Sequence, residues 1–520
     1  MNNLLFERLV GDVDRRTFAR LHTIRLLHSF RAAPHHRFDG GEQSATLYAS
    51  GAAGPSRLAD EDERRSIWAH KSGVNALALE RFDGRVLASG GSDGTIRLWD
   101  LEQCRNPHRP HTYRPTAQIA RETGAGQLGR SAVGADRDAH RHQHHRFGVT
   151  HLSFFPFDAD AFLSSSYDQT LKVWATEPAQ LSGSFDLGAK VYTHATSPIA
   201  SHLLVACATQ HPAVRLVDLR SGAAVQSLMA AGQIGAAAGA VLSAAWSPAR
   251  EHVLASGAAD GTIRVWDVRR ANALVALLDH EDGLGILRRA GGGGRVASAP
   301  DATLSSRGIR ASAKAHAGPV NGLAWTDDGD FVVSAGHDRR VRVWDATTGA
   351  NTLVNFGPSI RNGGLMSVDM FVSPTGLAGP GPGSGPSRRD VLFWPNGSEV
   401  LALDLHEGTI IRRLRVAGGG ASAQQQQAAK NRVTSLAWRG AGGFGSSSGH
   451  VVGGRNAAGG VYSGHSDGQI RVWAPELEGP EGDEFGVPEE SEEAAVERTR
   501  KRKALDNVYK TLMGQNVRFQ

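Results

Sequence analysis

Short alternations of apolar and polar residues recur along this chain, each ending in tryptophan. In "TIRLW" (95–99) and "TLKVW" (170–174) the aliphatic residues take every second place and the tryptophan falls on the other face, the period of a β-strand. Asp-Gly or Asp-Gln just before each alternation supplies a tight hairpin turn. A serine stands four places before the turn aspartate, and the tryptophan six places after it. This S-x3-D-x5-W unit occurs at Ser89, Asp93 and Trp99, at Ser164, Asp168 and Trp174, and at Ser256, Asp260 and Trp266. It returns at Ser334, Asp338 and Trp344, and at Ser463, Asp467 and Trp473. Chance does not give five such copies.

The residue types come as a set because buried polar groups must be paired. The spacing predicts one network of indole N–H, serine hydroxyl and turn aspartate, completed in places by an upstream histidine such as His70 or His316. Each unit reads as strand, turn, strand, turn, strand, with one more strand ahead of it. Two further stretches keep the alternation without the polar set. "HLLVACATQHPAVRLVDLRSG" places Cys207 and His211 at the serine and aspartate positions and ends in Val217-Asp218. "RRDVLFWPNGSEVLALDLHEG" places Phe393 and Gly397 there and ends in Leu403-Asp404. Four-stranded units repeating at about 40–45 residues resemble the WD-repeat β-propeller. Five clear units and two weak ones predict an all-β, seven-bladed ring over 66–475, with eight blades the rival if the N-terminus adds strands. A closed ring leaves no strand edge open.

The spacing between units also predicts insertions. The excess length falls in low-complexity segments such as "GILRRAGGGGRVASAPDATLSSRG" and "VAGGGASAQQQQAAK", which hold little to bury and carry much of the chain's 63 glycines. Two cysteines, Cys104 and Cys207, are too few for a disulfide framework or a four-cysteine zinc site and suit a reducing compartment. Eighteen consecutive apolar residues occur nowhere, and the first residues carry acids, so neither a membrane span nor a secretory signal is expected. Ten acids and no base lie between Pro475 and Glu497, which leaves about +15 on the remainder of a chain whose net charge is +5. That basic body fits an acidic partner, nucleic acid included, or simple solubility.

Outside the ring, "GDVDRRTFARLHTIRLLHSFRA" has the pattern of an amphipathic helix with Phe18, Leu21, Ile24 and Leu27 on its apolar face. Leu4, Leu5, Phe6, Leu9 and Val10 form a shorter apolar turn before it. Residues 1–35 thus read as a helical segment that either docks a partner or packs back on the ring. The tail, 476–520, is acidic and then basic; its "RTRKRK" fits a nuclear import signal, a nucleic-acid arm or a solvated tail. Histidines 140, 142, 144 and 145 lie close together, but the stretch lacks a carboxylate–cysteine complement, and no metal or cofactor is assigned. No phosphate-binding loop, nucleophile elbow or zinc-protease motif appears, so the chain reads as non-catalytic.

The segments "HRFGVTHLSFFPFD", "FLSSSYDQTLKVW", "VYTHATSP", "LSAAWSPAREHVLASGAADGTIRVWDVRRA" and "ANTLVNFG" run in an order that resembles the Cockayne syndrome A protein family, over roughly 70–475. The last of these lies outside the generic repeat pattern. That resemblance implies a nuclear, substrate-receiving subunit of a cullin-4 RING ubiquitin ligase in transcription-coupled nucleotide excision repair. It implies docking on the large subunit of the damaged-DNA-binding complex, which links to the cullin. The Cockayne syndrome B remodeller and stalled RNA polymerase II are the implied targets. Receptors of this kind carry a W-D-x-R motif, here Trp266-Asp267-Val268-Arg269, with a weaker version ending in Arg220 in the preceding unit. Trp266 and Asp267 are mainly structural in this reading, and Arg269 is the docking handle. The N-terminal segment, through Leu5, Phe6, Leu9, Phe18 and Leu21, is expected to enter the linker's cleft. An arginine after Trp-Asp is also common as a solvated loop charge, the reading kept for Arg270. Two other classes stay open: a general scaffold in chromatin or ribosome assembly, and a direct DNA binder whose affinity would fall steeply with salt.

Overall fold

In the computed structural model, seven small antiparallel sheets follow one another around a ring. The residues described are 10, 27–41, 68–104, 109–120, 144–199, 202–221, 225–229, 239–270, 273–283, 313–362, 364, 366–373, 390–415, 431–439 and 460–475. Blade 1 is Val74–Leu79, Val86–Gly91, Ile96–Asp100 and Pro115–Ile119, from the inside outward. Blade 2 runs from Val149–Phe154 to Gln180–Asp186, blade 3 from Val191–Thr196 to Val225–Leu228, and blade 4 from Val241–Trp246 to Leu274–Leu277. Among the described residues blade 5 has three strands, Val320–Trp325, Phe331–Gly336 and Val341–Asp345. Blade 6 runs from Phe371–Val372 to Ile410–Leu414. The fold is a seven-bladed propeller, almost wholly β.

Each blade has two apolar faces, so no blade can bury its own core. Seven hydrophobic clusters among the described residues each straddle two neighbouring blades. The inner strands are also stitched together: Asn75 Nδ2 donates to the Val149 carbonyl at 3.0 Å, and the Ser243 hydroxyl to that of Val320 at 3.2 Å. The Thr434 hydroxyl donates to the Val74 carbonyl and joins the last blade to the first.

Blade 7 corrects the expected boundary of the ring. Its first three strands are Val433–Arg439, Gly460–His465 and Ile470–Pro475, and its outer strand is Phe30–Ala32, from the segment read as helical. A helical turn remains only at 27–29 among the neighbouring described residues. The physical reason is burial: Phe30 is 2% exposed and Leu27 1%, both inside the cluster between blades 6 and 7. The N-terminus therefore supplies the missing strand of the seventh blade rather than an eighth blade. His36–Phe38 continues onward to pair in parallel with His111–Tyr113 beside blade 1.

Candidate partner-docking rim

The site begins with what holds each tryptophan. In blade 2, Trp174 Nε1 donates to the Ser164 hydroxyl at 2.7 Å, and that hydroxyl lies 2.6 Å from His145 Nε2. On the other side of the ring, His145 Nδ1 is 2.9 Å from Asp168 Oδ2. An ionised carboxylate only accepts, so Nδ1 carries the imidazole proton and Nε2 accepts from serine. Blade 5 repeats the chain through Trp344, Ser334, His316 and Asp338, at 2.8, 2.8 and 3.0 Å. Blade 1 inserts Thr95 between His70 Nδ1 and Asp93, while Trp99 and Ser89 keep their bond at 2.8 Å. Burial alone would raise the Asp93 carboxyl, yet the nearby His70 imidazole and the hydrogen bonds from Thr95 bring it down to about 2. The same balance holds Asp168 and Asp338 below the usual carboxylate range. Replacing Ser164 by alanine strips the acceptor from a buried indole and the donor from a buried imidazole. The expected loss is about 2 kcal/mol of unfolding free energy, read from the urea midpoint by tryptophan fluorescence.

The other two strong repeats solve the problem differently. In blade 4, Trp266 Nε1 donates to Ser256 at 2.7 Å, and the buried Arg264 reaches Asp260 at 2.9 Å in place of a histidine. In blade 7, the histidine comes from the strand itself: His465 Nε2 lies 2.9 Å from Ser463, which accepts from Trp473 at 2.8 Å. Asp467 is held instead by Asn431 and Arg471. His465 occupies the position of Gly91 and Gly336, where an added Cβ would press on the upstream histidine of blades 1 and 5. One imidazole therefore excludes the other.

The weak blades lack the network. Cys207 is fully buried opposite Arg215, and burial pushes its thiol up to about 12. His211 keeps the turn, its Nδ1 accepting from the N–H of Ala213 at 3.2 Å as Asp93 does from Thr95. In blade 6 the register departs by one place from the expected Phe393. Trp394, not Phe393, pairs with Leu401 at the serine position, because the hairpin is a residue shorter and turns at Gly397, φ 66°. A small serine and a large tryptophan have become a large Trp394 and a smaller Leu403.

These networks fix the strand ends, and the ends make the rim. Val268 N donates to the His252 carbonyl and Leu219 N to that of Leu203, both at 3.1 Å, so the segments after Asp267 and Asp218 lie at one end of blades 4 and 3. Asp267 is buried and accepts from Arg269 through the backbone N–H, Nε and Nη2, each at 3.2 Å. Arg270 Nε stands 3.4 Å away from it. The bond from Arg269, opposed by burial, holds the Asp267 carboxyl below its usual range. Arg269 remains 65% exposed, so most of its fork faces solvent. Arg270 is nearly as open at 59% and shares the same carboxylate, so exposure does not separate the two. Arg220 is exposed one blade away, its N–H donating to Asp218 at 2.9 Å.

Three residues unmarked by the repeat pattern join this rim. His202 Nε2 is 3.0 Å from the Glu251 carbonyl and its ring stacks on His252, which locks blades 3 and 4 together. Arg250 is exposed on the adjoining turn. Their signal is only spatial, since turn residues carry no periodicity. Leu5, Phe6, Leu9, Phe18 and Leu21 lie outside the described residues, as do the tail 476–520 and His140 and His142.

The ring and its tryptophan networks define a WD-repeat propeller. The WD domain, G-beta repeat model matches residues 62–100, 138–175, 232–267 and 309–345. The chain belongs to the family of the WD repeat-containing protein ATCSA-1 of Arabidopsis thaliana, with 31% identity over 331 residues, 55% of this chain and 69% of that protein. It is also similar to the ribosome biogenesis protein ytm1 of Aspergillus clavatus, 27% identical over 285 residues and 53% of each chain. Radiation-sensitive protein 28 of Saccharomyces cerevisiae is 22% identical over 349 residues, 52% of this chain and 65% of that one. The chain thus spans about half to two thirds of these relatives' lengths.

Proposed function

We propose that this chain is a substrate-recognition subunit of a cullin-4 RING ubiquitin ligase acting in transcription-coupled nucleotide excision repair. The observation that carries the reading is the likeness to ATCSA-1, within which Trp266-Asp267-Val268-Arg269 sets an exposed arginine on a fixed rim. Arg269 and Arg220, with the N-terminal segment that includes Leu5, Phe6, Leu9, Phe18 and Leu21, would grip the large subunit of the damaged-DNA-binding complex. In this role the chain does no chemistry. It raises the effective concentration of substrate lysines, on a Cockayne syndrome B-like remodeller or stalled RNA polymerase II, near the loaded ubiquitin carrier. The setting is nuclear.

The test is a pull-down of the recombinant linker subunit by the full chain. Arg220→Glu/Arg269→Glu and a deletion of residues 2–26 are each expected to weaken capture at least tenfold. The deletion stops short of Leu27 so that the closing strand Phe30–Ala32 survives. Full capture by both variants overturns the docking surface. The likeness to ytm1 favours a second reading, assembly of ribosomes. It predicts cosedimentation of the tagged chain with pre-ribosomal particles and no cullin in the eluate.

A further inference from the structure

Among the described residues, blade 5 ends one strand early. In blades 1 to 4 the residue three places before the tryptophan position is bonded by an outer strand. Ile96 pairs with Ile119, Leu171 with Phe185 and Val214 with Leu228, and the Ile263 carbonyl accepts from Leu278 N at 3.1 Å. The counterpart in blade 5 is Val341, which pairs only with Ala335 among the described residues. A fourth strand starts there: Asn351 bridges to Trp344, and Thr352 puts both its N–H and its hydroxyl on the Val343 carbonyl at 2.9 Å. Then it stops. Leu353 takes φ +60°, a conformation that disfavours a residue with a side chain, and the chain turns away. Phe356 and Ile360 drop into the core shared with blade 6.

Between the strand that should have been covered and the chain that leaves it lies a groove of about 260 Å³. Residues 339–342 form one wall, and Leu353, Val354 and Phe356 the other. Leu353 is an apolar side chain left 67% exposed at its mouth. Arg342 is paired with Asp338 at 2.9 Å, but Arg339 and Arg340 are exposed and no carboxylate partners them among the described residues. The groove therefore offers three things at once: a strand edge with no fourth strand on it among the described residues, an apolar wall and two exposed guanidinium groups.

We infer that this groove takes a short acidic segment of another protein, extended and added as the fourth strand of blade 5. Backbone bonds to Val341 supply the grip, as in other strand-addition sites. An aliphatic side chain meets Leu353, and a carboxylate beside it meets Arg339 and Arg340. The surface sits at the hairpin-turn end of its blade, the opposite strand end from the rim that carries Arg269 in blade 4.

The experiment is a selection of random twelve-residue displayed peptides on the intact chain, followed by anisotropy titration of the labelled winners. Enriched peptides are expected to alternate Asp or Glu with Val, Ile or Leu. Their Kd should rise at least tenfold against Arg339→Glu/Arg340→Glu, whose surface changes leave the thermal melt in place. It should also rise tenfold when alternate peptide amides are N-methylated, which blocks strand pairing and leaves charge intact. A selection without acidic winners, winners indifferent to both changes, or a dimer of the chain that buries this edge in sedimentation overturns the inference.

Discussion

Replacing Phe30 by aspartate is expected to lower the unfolding free energy by about 4 kcal/mol, seen as a fall in the urea midpoint with an unchanged slope. Phe30 lies in the outer strand of the last blade, opposite Pro475, with its ring 6.0 Å from that of Trp438. It also touches the cluster built from Val391, Phe393 and Leu414 of blade 6 and Trp473 of its own blade. The substitution deletes a large ring from that cluster and sets a carboxylate where nothing can pair with it. Arg31 is the control. It lies in the same strand but is exposed, so Arg31→Ser should move the midpoint little. A Phe30→Asp protein as stable as the parent would mean that Phe30–Ala32 does not close the seventh blade. The strand also closes the ring, because it pairs with Ile470–Pro475 as the outer strand of the last blade.

The parts of the fold that were legible in the sequence are those in which chemistry and spacing coincide. Trp174, Ser164 and Asp168 announce themselves because an indole N–H must find an acceptor and a strand fixes where that acceptor stands. Phe30–Ala32 was hidden because three residues make less than two periods of a strand, inside a stretch whose apolar spacing suits a helix. His465 was hidden because it reaches Ser463 from a place usually held by a small residue; the clue was the missing histidine upstream, where the sequence has Ala429 four places before Val433. Trp394 was misplaced because counting back from Leu403 assumes a hairpin of constant length. The candidate rim was half legible. Arg269 follows from its motif, whereas Arg250 and His202 come together only through the packing of one blade on the next.

Lowering the pH from 7.5 to 5 is expected to reduce the melting temperature by about 8 °C, well before any carboxylate of the tryptophan networks protonates. Five histidines carry the effect. Burial lowers the pKa of His145 and His316, partly offset by Asp168 and Asp338. It pushes His151 down to about 4, and His194 and His465 well below the ordinary value. A folded-state pKa below the unfolded one means that the unfolded chain binds more protons between the two. Stability therefore falls as the pH drops from about 6.5 toward the folded-state values. Each tenfold loss of proton affinity on folding is worth about 1.4 kcal/mol, so His151, whose value falls from the ordinary 6.5 to about 4, alone contributes about 2 kcal/mol between pH 6.5 and 5. The aspartates come later: their depressed values make a contribution that is complete above about 4 and lost as the pH falls toward 2. His151 separates the causes, since its buried Nδ1 has no hydrogen-bond partner. His151→Leu should reduce the pH-dependent drop while leaving the melt at pH 7.5 close to that of the parent. A melting temperature flat from pH 7.5 to 5 would mean that these imidazoles are solvated rather than buried between blades. Across the same window the rim keeps its charge, because Arg269 and Asp267 each hold the other ionised. Linker capture at 4 °C should therefore be the same at pH 7.5 and pH 5.5, whereas the temperature at which it is lost should fall with the melt.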